Sequence, residues 1–461
     1  MDRTTTVGDT AGAAGIGRRQ QNRRVLFAAG VGTTIEWFDF FLYAQVAALV
    51  FGPVFFSSLG EQQAVLVSLA TIGISFLFRP IGAMIAGHFG DRIGRRRMLM
   101  YTLFLMGGST ALIGLLPTPH TIGIAAPILL LVLRIGQGLS AGGEWGGAAL
   151  MAVESAPANQ RGRFGSAVQL GAPVGLLVAT GFLSLMTAIV PNDEAFDEWG
   201  WRVPFLCSAV LVFVGYWIRR RVEETPAFVE MSRQGETRRA PLVVLFRERA
   251  GLVIVAALVL AANSAASYVV VGGFMQSYVT GSQTAGQMSK SAVFNIVTVS
   301  GILWLFVLVG AALASDRIGR RSIYVCGWVA IIATIFPLLH AMDSGSVPML
   351  FLAVTVFMFA TMLTSGPLAA YTAELFPARI RYSGVALTYA LASILGGAFA
   401  PTIATALFNG MGSLHSVGWY VVGMATVSLV CTLLLRDRSG VDLSPNSTAY
   451  DSSSFHLPFR W

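Results

Sequence analysis

Two carboxylates, Glu36 and Asp39, stand three residues apart in "IEWFDFFLYA" (35–44), an otherwise apolar stretch. Arg79, Arg134 and Glu144 also interrupt long apolar runs. An ionised side chain in hydrocarbon is costly, so such residues face a cavity or a partner. At 100° per residue, Glu36, Asp39, Phe40 and Tyr43 share one helix face, and Arg134, Gln137, Ala141, Glu144 and Trp145 share another. A rise of 1.5 Å per residue puts Asp39 and Arg134 each roughly 21 Å from the same membrane edge, and Arg79 about 13 Å from it. Opposite charges at matched depth make burial tolerable. Burial favours a protonated carboxyl, whereas a nearby guanidinium favours the carboxylate, and the two together can make a proton switchable. The expected proton site is Asp39, or Glu36 with it. Arg134 would hold that charge or exchange it for an anionic ligand. A permanent pair that only locks helices together is the alternative.

The elements that must position these groups are membrane spans. With 55% hydrophobic and 12% charged residues, the chain departs from ordinary soluble domains, which are about one-quarter charged. Apolar runs fall near 25–51, 64–87, 98–116, 122–148, 165–190 and 203–218, then near 251–278, 292–315, 322–339, 348–372, 384–408 and 417–435. A helix of about 20 residues crosses the hydrocarbon core, so twelve spans are expected. The first run is far longer than a signal-peptide core and lacks an A-x-A-like cleavage site. The expected organisation is an N-terminal segment (1–24), a six-helix bundle (25–218), a linker (219–250), a second six-helix bundle (251–435) and a tail (436–461). The tail, with "SPNSTAYDSSS", reads as polar and mobile.

The net charge of +8 is a matter of orientation and not of nucleic-acid binding. With twelve spans, the arginine clusters at 18–24, 92–97, 161–163, 219–221, 233–249, 317–321, 379–381 and 436–438 all share one side. The opposite loops carry Glu61, Asp193, Glu194, Asp197, Glu198 and Asp343, with Lys290 as their clearest cation. The positive-inside rule then puts both termini in the cytoplasm. Cys207, Cys326 and Cys431 have unrelated spacings that suit neither a metal set nor disulfides, so no metal site is expected. No phosphate-binding loop occurs and the soluble segments are short, which argues against an enzyme or an ATP-driven pump. No cofactor is expected.

Two motifs repeat. "GDRIGRRRM" (90–98) returns as "SDRIGRRSI" (315–323), and "ESAPANQR" (154–161) as "ELFPARIR" (374–381). Offsets of about 220 to 225 residues for both motifs indicate a six-plus-six duplication, the mark of one large transporter class. Gly94 and Gly319 permit tight turns. Asp91 and Asp316 can pair with arginines or with a neighbouring helix terminus. The set Asp91, Arg92, Gly94, Arg95, Arg96, Glu154, Arg161, Asp316, Arg317, Gly319, Arg320, Arg321, Glu374 and Arg381 reads as a cytoplasmic gate that pairs when the halves close. Inside-anchoring by positive charge alone would explain the arginines but not the repeated Asp and Gly.

These repeats and the twelve-span plan resemble the major facilitator superfamily. "IEWFDFFLYA", "RIGQGLSAGGEWGGAALMAVESAP" (134–157), "EWGWRVPF" (198–205) and "EETPAF" (223–228) together resemble its metabolite:proton symporters, nearest the shikimate type. Ala44 departs from the glycine frequent in relatives. The resemblance implies a two-bundle fold, alternating access, and uptake of an organic acid or zwitterion driven by the proton gradient. Its partners would be a small metabolite, protons and the bilayer. An antiporter on the same scaffold has only Pro173, in a motif similar to the antiporter proline motif, in its favour. A betaine or proline carrier of the osmosensing kind would want a long charged C-terminal coiled coil, which the tail lacks.

Residues 251–435 carry no charge outside the loops, which assigns proton coupling to the first half. Substrate candidates are Tyr43, Arg79, Arg134, Gln137, Glu144, Trp145 and Gln169 there, and Asn263, Tyr268, Gln276, Asn295, Tyr371 and Tyr389 in the second half. The uncharged ones could equally bridge helices. Two intramembrane arginines favour an anion, because Arg holds a carboxylate with two parallel hydrogen bonds. A composition with Lys290 as the single lysine points to a GC-rich bacterium, hence an inner membrane.

Overall fold

The computed structural model describes residues 26–27, 30–93, 95–220, 241–281, 288–444 and 447–450. The architecture is all-α. The helices are α1 (Gly30–Phe55), α2 (Glu61–Ile93), α3 (Arg95–Leu115), α4 (Ala125–Glu154), α5 (Ala158–Ile189) and α6 (Phe196–Trp217). The second half holds α7 (Arg249–Thr280), α8 (Lys290–Ile318), α9 (Arg320–Asp343), α10 (Val347–Leu375), α11 (Arg381–Met411) and α12 (Leu414–Leu434). Eleven contain a window long and apolar enough to cross a membrane, and in α3 the apolar part, Met100–Leu115, is shorter. The twelve expected spans are thus all helical. Within the linker, 221–240 lies outside the described residues. Residues 241–248 are helical and join α7 through a kink at Arg249.

Backbone interruptions recur at matching places in the two halves. A wide turn at Ala47–Phe51 in α1 corresponds to the break at Gly272–Gly273 in α7. The break at Gly142–Gly143 in α4 corresponds to Gly366–Pro367 in α10. The break of α5 at Leu170 corresponds to the wide turn Ser393–Ala398 in α11. Irregular backbone at membrane depth is tolerated where protein or a cavity covers it, and these breaks all lie within the bundle.

Small residues let helices cross backbone to backbone. A Cβ on Gly142 would lie 1.9 Å from the Arg79 carbonyl oxygen, and one on Gly366 would lie 2.5 Å from that of Leu308. So α4 presses on α2 as α10 presses on α8. This contact brings the segments bearing Arg79 and Arg134 together. Across the boundary between halves, α5 packs on α8 and α2 on α11, while α4 meets α11 and α5 meets α10 near one end. That end, with the loops α2–α3, α4–α5, α8–α9 and α10–α11, is termed the basic end here. At the other end Lys290 pairs with Asp197 at 3.2 Å.

Of the tail, residues 445–446 and 451–461, which include much of "SPNSTAYDSSS", lie outside the described residues. Residues 436–444 and 447–450 are seated on the basic end by hydrogen bonds to gate residues. Composition marked the segment as polar, but the contacts to Arg161, Arg381 and the Glu374 carboxylate use its backbone atoms, which composition does not reveal.

Candidate functional site

Asp39 is fully buried in α1, with the Thr110 hydroxyl as the hydrogen-bonding group beside its carboxylate. Thr110, Glu144 and Arg134 are its polar and charged neighbours. The expected Asp39–Arg134 pair does not form as a contact. Arg134 instead donates to Gln137 Oε1 at 2.7 Å, the Ile72 carbonyl at 3.3 Å and the Thr71 carbonyl at 3.5 Å. Its guanidinium lies 3.8 Å from the centroid of the Tyr43 ring. Tyr43 shares a 2.6 Å hydrogen bond with Thr71, and Gln137 donates to Thr110 at 2.7 Å. Matched depth fixes how far along each helix two groups sit, not whether they point at one another. Arg134 points at the carbonyls of α2, which the Gly142 crossing brings close.

The ion pair that does form is Arg79 with Glu36, at 4.0 Å, both buried. Arg79 lies over the Phe76 ring, 4.2 Å from its centroid. Its Nε and Nη1 are buried and have no hydrogen-bond partner. Tyr268 and Tyr389, from the other half, lie within electrostatic reach of this pair, and the Tyr389 hydroxyl is also a hydrogen-bond neighbour of the Arg79 guanidinium. The Phe40 ring packs against Tyr268 at 5.1 Å. The pair thus adjoins the boundary between halves.

A cavity of about 80 Å³ lies at that boundary. Trp37 and Phe41 of α1, Gln169 of α5, Tyr268 of α7, Trp304 of α8 and Tyr389 of α11 line it, with Asn263 beside them. Gln169 spans the halves: its amide donates to the Ser365 carbonyl at 3.0 Å, and its oxygen accepts from the Trp145 indole at 3.0 Å. Trp145 stacks on Tyr389 with centroids 3.8 Å apart. Asn263 Nδ2 donates to the Thr361 carbonyl and to Thr364 and Ser365 hydroxyls at 2.6 to 3.0 Å. The Trp304 indole N–H is buried without a partner. Nothing in the sequence distinguishes it from other apolar core residues.

The other candidates lie elsewhere. Glu144 is buried just after the Gly142–Gly143 break. Gln276 is buried on the last segment of α7, outside the cavity, with both amide atoms unpartnered. Asn295 accepts from Ser184 at 3.3 Å on the α5–α8 contact. Tyr371 packs against Tyr324 at 4.6 Å, toward the basic end, near Arg321 and Asp437.

At the basic end the repeated Glu-x-x-Pro-x-x-x-Arg motifs exchange partners. Arg161 of the first copy meets Glu374 of the second at 3.3 Å, and Arg381 of the second meets Glu154 of the first at 3.2 Å. Arg320 also holds Glu374, at 3.2 and 3.3 Å, and Asp316 at 2.7 Å. Asp316 in turn accepts the backbone N–H groups of Gly162 and Arg163 at 2.8 and 2.9 Å. This is a carboxylate at a helix N-terminus, where the free N–H groups and the dipole favour it. Gly319 turns with φ 89°, the left-handed conformation glycine adopts freely. Arg321 donates to the Leu433 carbonyl at 2.8 Å, and Arg317 is exposed. Gly94 and the side chains of Asp91, Arg92, Arg95 and Arg96 lie outside the described residues.

The chain matches the family described as "Sugar (and other) transporter" over residues 25–242 and 245–436. It belongs to that family, within the major facilitator superfamily. This transporter is 39% identical to the shikimate transporter of Escherichia coli over 90% of its own length and 94% of that protein's. It is 38% identical to the inner membrane metabolite transport protein YhjE of Escherichia coli, with coverages of 90% and 94%. The proline/betaine transporter of Salmonella typhimurium is 33% identical over 90% of this chain and 84% of that one. A structure of the proton:xylose symporter XylE bound to 6-bromo-6-deoxy-D-glucose superposes with TM-score 0.74 at 16% identity, covering 92% and 98% of the two chains. Its fold is therefore that of the major facilitator transporters. The transporter is not an enzyme.

Proposed function

We propose that this protein is a proton-coupled symporter of a bacterial inner membrane that imports a carboxylate-bearing metabolite such as shikimate. The observation that carries the reading is the division of labour among the buried charges. Each nitrogen of the Arg134 guanidinium meets a protein acceptor, whereas Arg79, next to the cavity-lining Tyr389, has two nitrogens, Nε and Nη1, that meet none. Two N–H groups on one guanidinium suit the two oxygens of a carboxylate. Asp39 is the proton site, because a proton there neutralises a charge that otherwise lies buried with no ion-pair contact among the described residues.

The basic end faces the cytoplasm, by the excess of arginine in its loops. Substrate and proton would enter from the opposite side. The crossed Glu–Arg pairs would separate as the halves rock, releasing both inward. Tyr268, Tyr389, Gln169, Asn263 and the Trp304 indole would supply hydrogen bonds around the carboxylate's carbon skeleton. No cofactor is required, since the proton gradient drives accumulation.

A zwitterionic substrate of the proline or betaine kind is the second reading. It is favoured by the aromatic lining of the cavity, because aromatic faces attract ammonium groups, and by the 33% identical relative named for those solutes. Competition of labelled shikimate uptake in proteoliposomes by a panel of organic acids and betaines separates the two. Competition by acids alone supports the first reading. Competition by betaines without any by acids overturns it.

A further inference from the structure

The tail after α12 crosses the basic end and bonds to the gate itself. The Val441 carbonyl accepts from Arg161 Nη1 at 2.5 Å, and the Leu443 carbonyl accepts from Arg381 Nη2 at 3.1 Å. These are the two arginines that pair across the halves. Gly440 N–H donates to Glu374 Oε1 at 3.1 Å, and Ser439 Oγ accepts from the Arg320 N–H at 2.9 Å. Tyr450 donates to the Glu374 carbonyl at 3.2 Å, and the Arg438 guanidinium lies 4.8 Å from the centroid of its ring.

The tail is covalently anchored to the second half, yet it reaches Arg161 of the first. Any movement that parts Arg161 from Glu374 must also break its bond to Val441. We propose that residues 439–443 form a strap that holds the basic end closed, and that this end opens only as the strap lets go of Arg161. The fixation uses backbone groups, placed by a turn at Gly440 with φ 75°. Asp442 reinforces it: the Ser444 hydroxyl and N–H hold its carboxylate below the usual range, and Arg161 and Arg381 lie within reach of its charge. The strap adds a charge-assisted bond to one face of an equilibrium, and such a bond shifts it about tenfold or more. The inference does not depend on which metabolite is carried.

The test uses a reporter cysteine at Ala386, which packs against Gly146 of the other half at the basic end, with Cys207, Cys326 and Cys431 changed to serine. The protein is held in nanodiscs, where both ends are open to a polar maleimide. Two changes release the strap: a stop codon at position 439, and Gly440→Pro in the full chain, which removes the N–H and cannot adopt the left-handed φ. Labelling should quicken about tenfold in both. In an Arg161→Ala background, the stop codon should add much less, because the bond it removes is already gone. Unchanged labelling in both variants overturns the proposal. So does a full additional effect of truncation in the Arg161→Ala background, which would mean that the tail acts elsewhere. If the truncated chain does not insert, Gly440→Pro decides alone, with Gly440→Ala as its milder companion.

Discussion

Replacing Arg79 by Gln tests the assignment of the carboxylate site. Arg79 holds Glu36 only at 4.0 Å and has unpartnered Nε and Nη1 donors. Hydrogen bonds to charged groups are worth about 1.5–3 kcal/mol each. Two such bonds give roughly 3–6 kcal/mol, reduced by repulsion between Glu36 and the bound carboxylate. A net loss of about 3 kcal/mol corresponds to a rise of roughly 100-fold in apparent KM. Arg79→Lys keeps the charge but cannot present two parallel donors, so its KM should rise only about tenfold. Removing Arg79 also takes away the ion-pair partner of Glu36, and breaking a buried pair can cost about 3–5 kcal/mol of stability. The double variant Arg79→Gln, Glu36→Gln should recover stability without recovering affinity. The assay is counterflow of labelled shikimate in proteoliposomes at one pH, with insertion checked for each variant. An inserted Arg79→Gln protein with unchanged KM refutes the assignment.

Two further outcomes follow from the packing. Exchanging charges within one crossed pair, as Glu154→Arg with Arg381→Glu, should restore much of the transport rate lost in either single variant, because the contact spans the halves; rates of uptake for the singles and the double check it, and a double no better than the singles counts against a gate. Gly142→Val should force α4 away from α2, since its Cβ would overlap the Arg79 carbonyl. A loss of about 2 kcal/mol or more in denaturation is expected, while Gly423→Ala, with open space around it, should be near neutral.

The twelve spans and the duplication were legible because both depend on long-range regularities: apolar length, and two motifs repeated at one offset. The gate residues were legible for the same reason, but their crossed pairing was not. A motif states which residues recur, whereas pairing Arg161 with Glu374 needs the approximate two-fold relation between halves. At the buried charges, sequence spacing gave depth and face. It could not give how the helices are turned toward one another, and so it did not show that Arg134 bonds to the carbonyls of α2 and Arg79 pairs with Glu36, with Asp39 and Arg134 in electrostatic reach but not in contact. Those carbonyls come within reach through Gly142, a residue with no side chain to announce the contact. Gln169, Asn263, Tyr268 and Tyr389 line the cavity, while Gln276, Asn295 and Tyr371 do not; all are lone polar residues in apolar helices, and even Asn295, which bonds across the halves, lies outside it. The Trp304 indole and the backbone contacts of the tail carry no polar signature in the sequence at all.

The central claim is that Asp39 carries the coupling proton. Asp39→Asn keeps the shape of the side chain and removes the titratable group. Counterflow exchange needs no proton gradient, so the account predicts that the inserted variant still exchanges labelled shikimate across proteoliposomes but no longer accumulates it when a gradient is imposed. Loss of exchange together with driven uptake, at normal insertion, would contradict it.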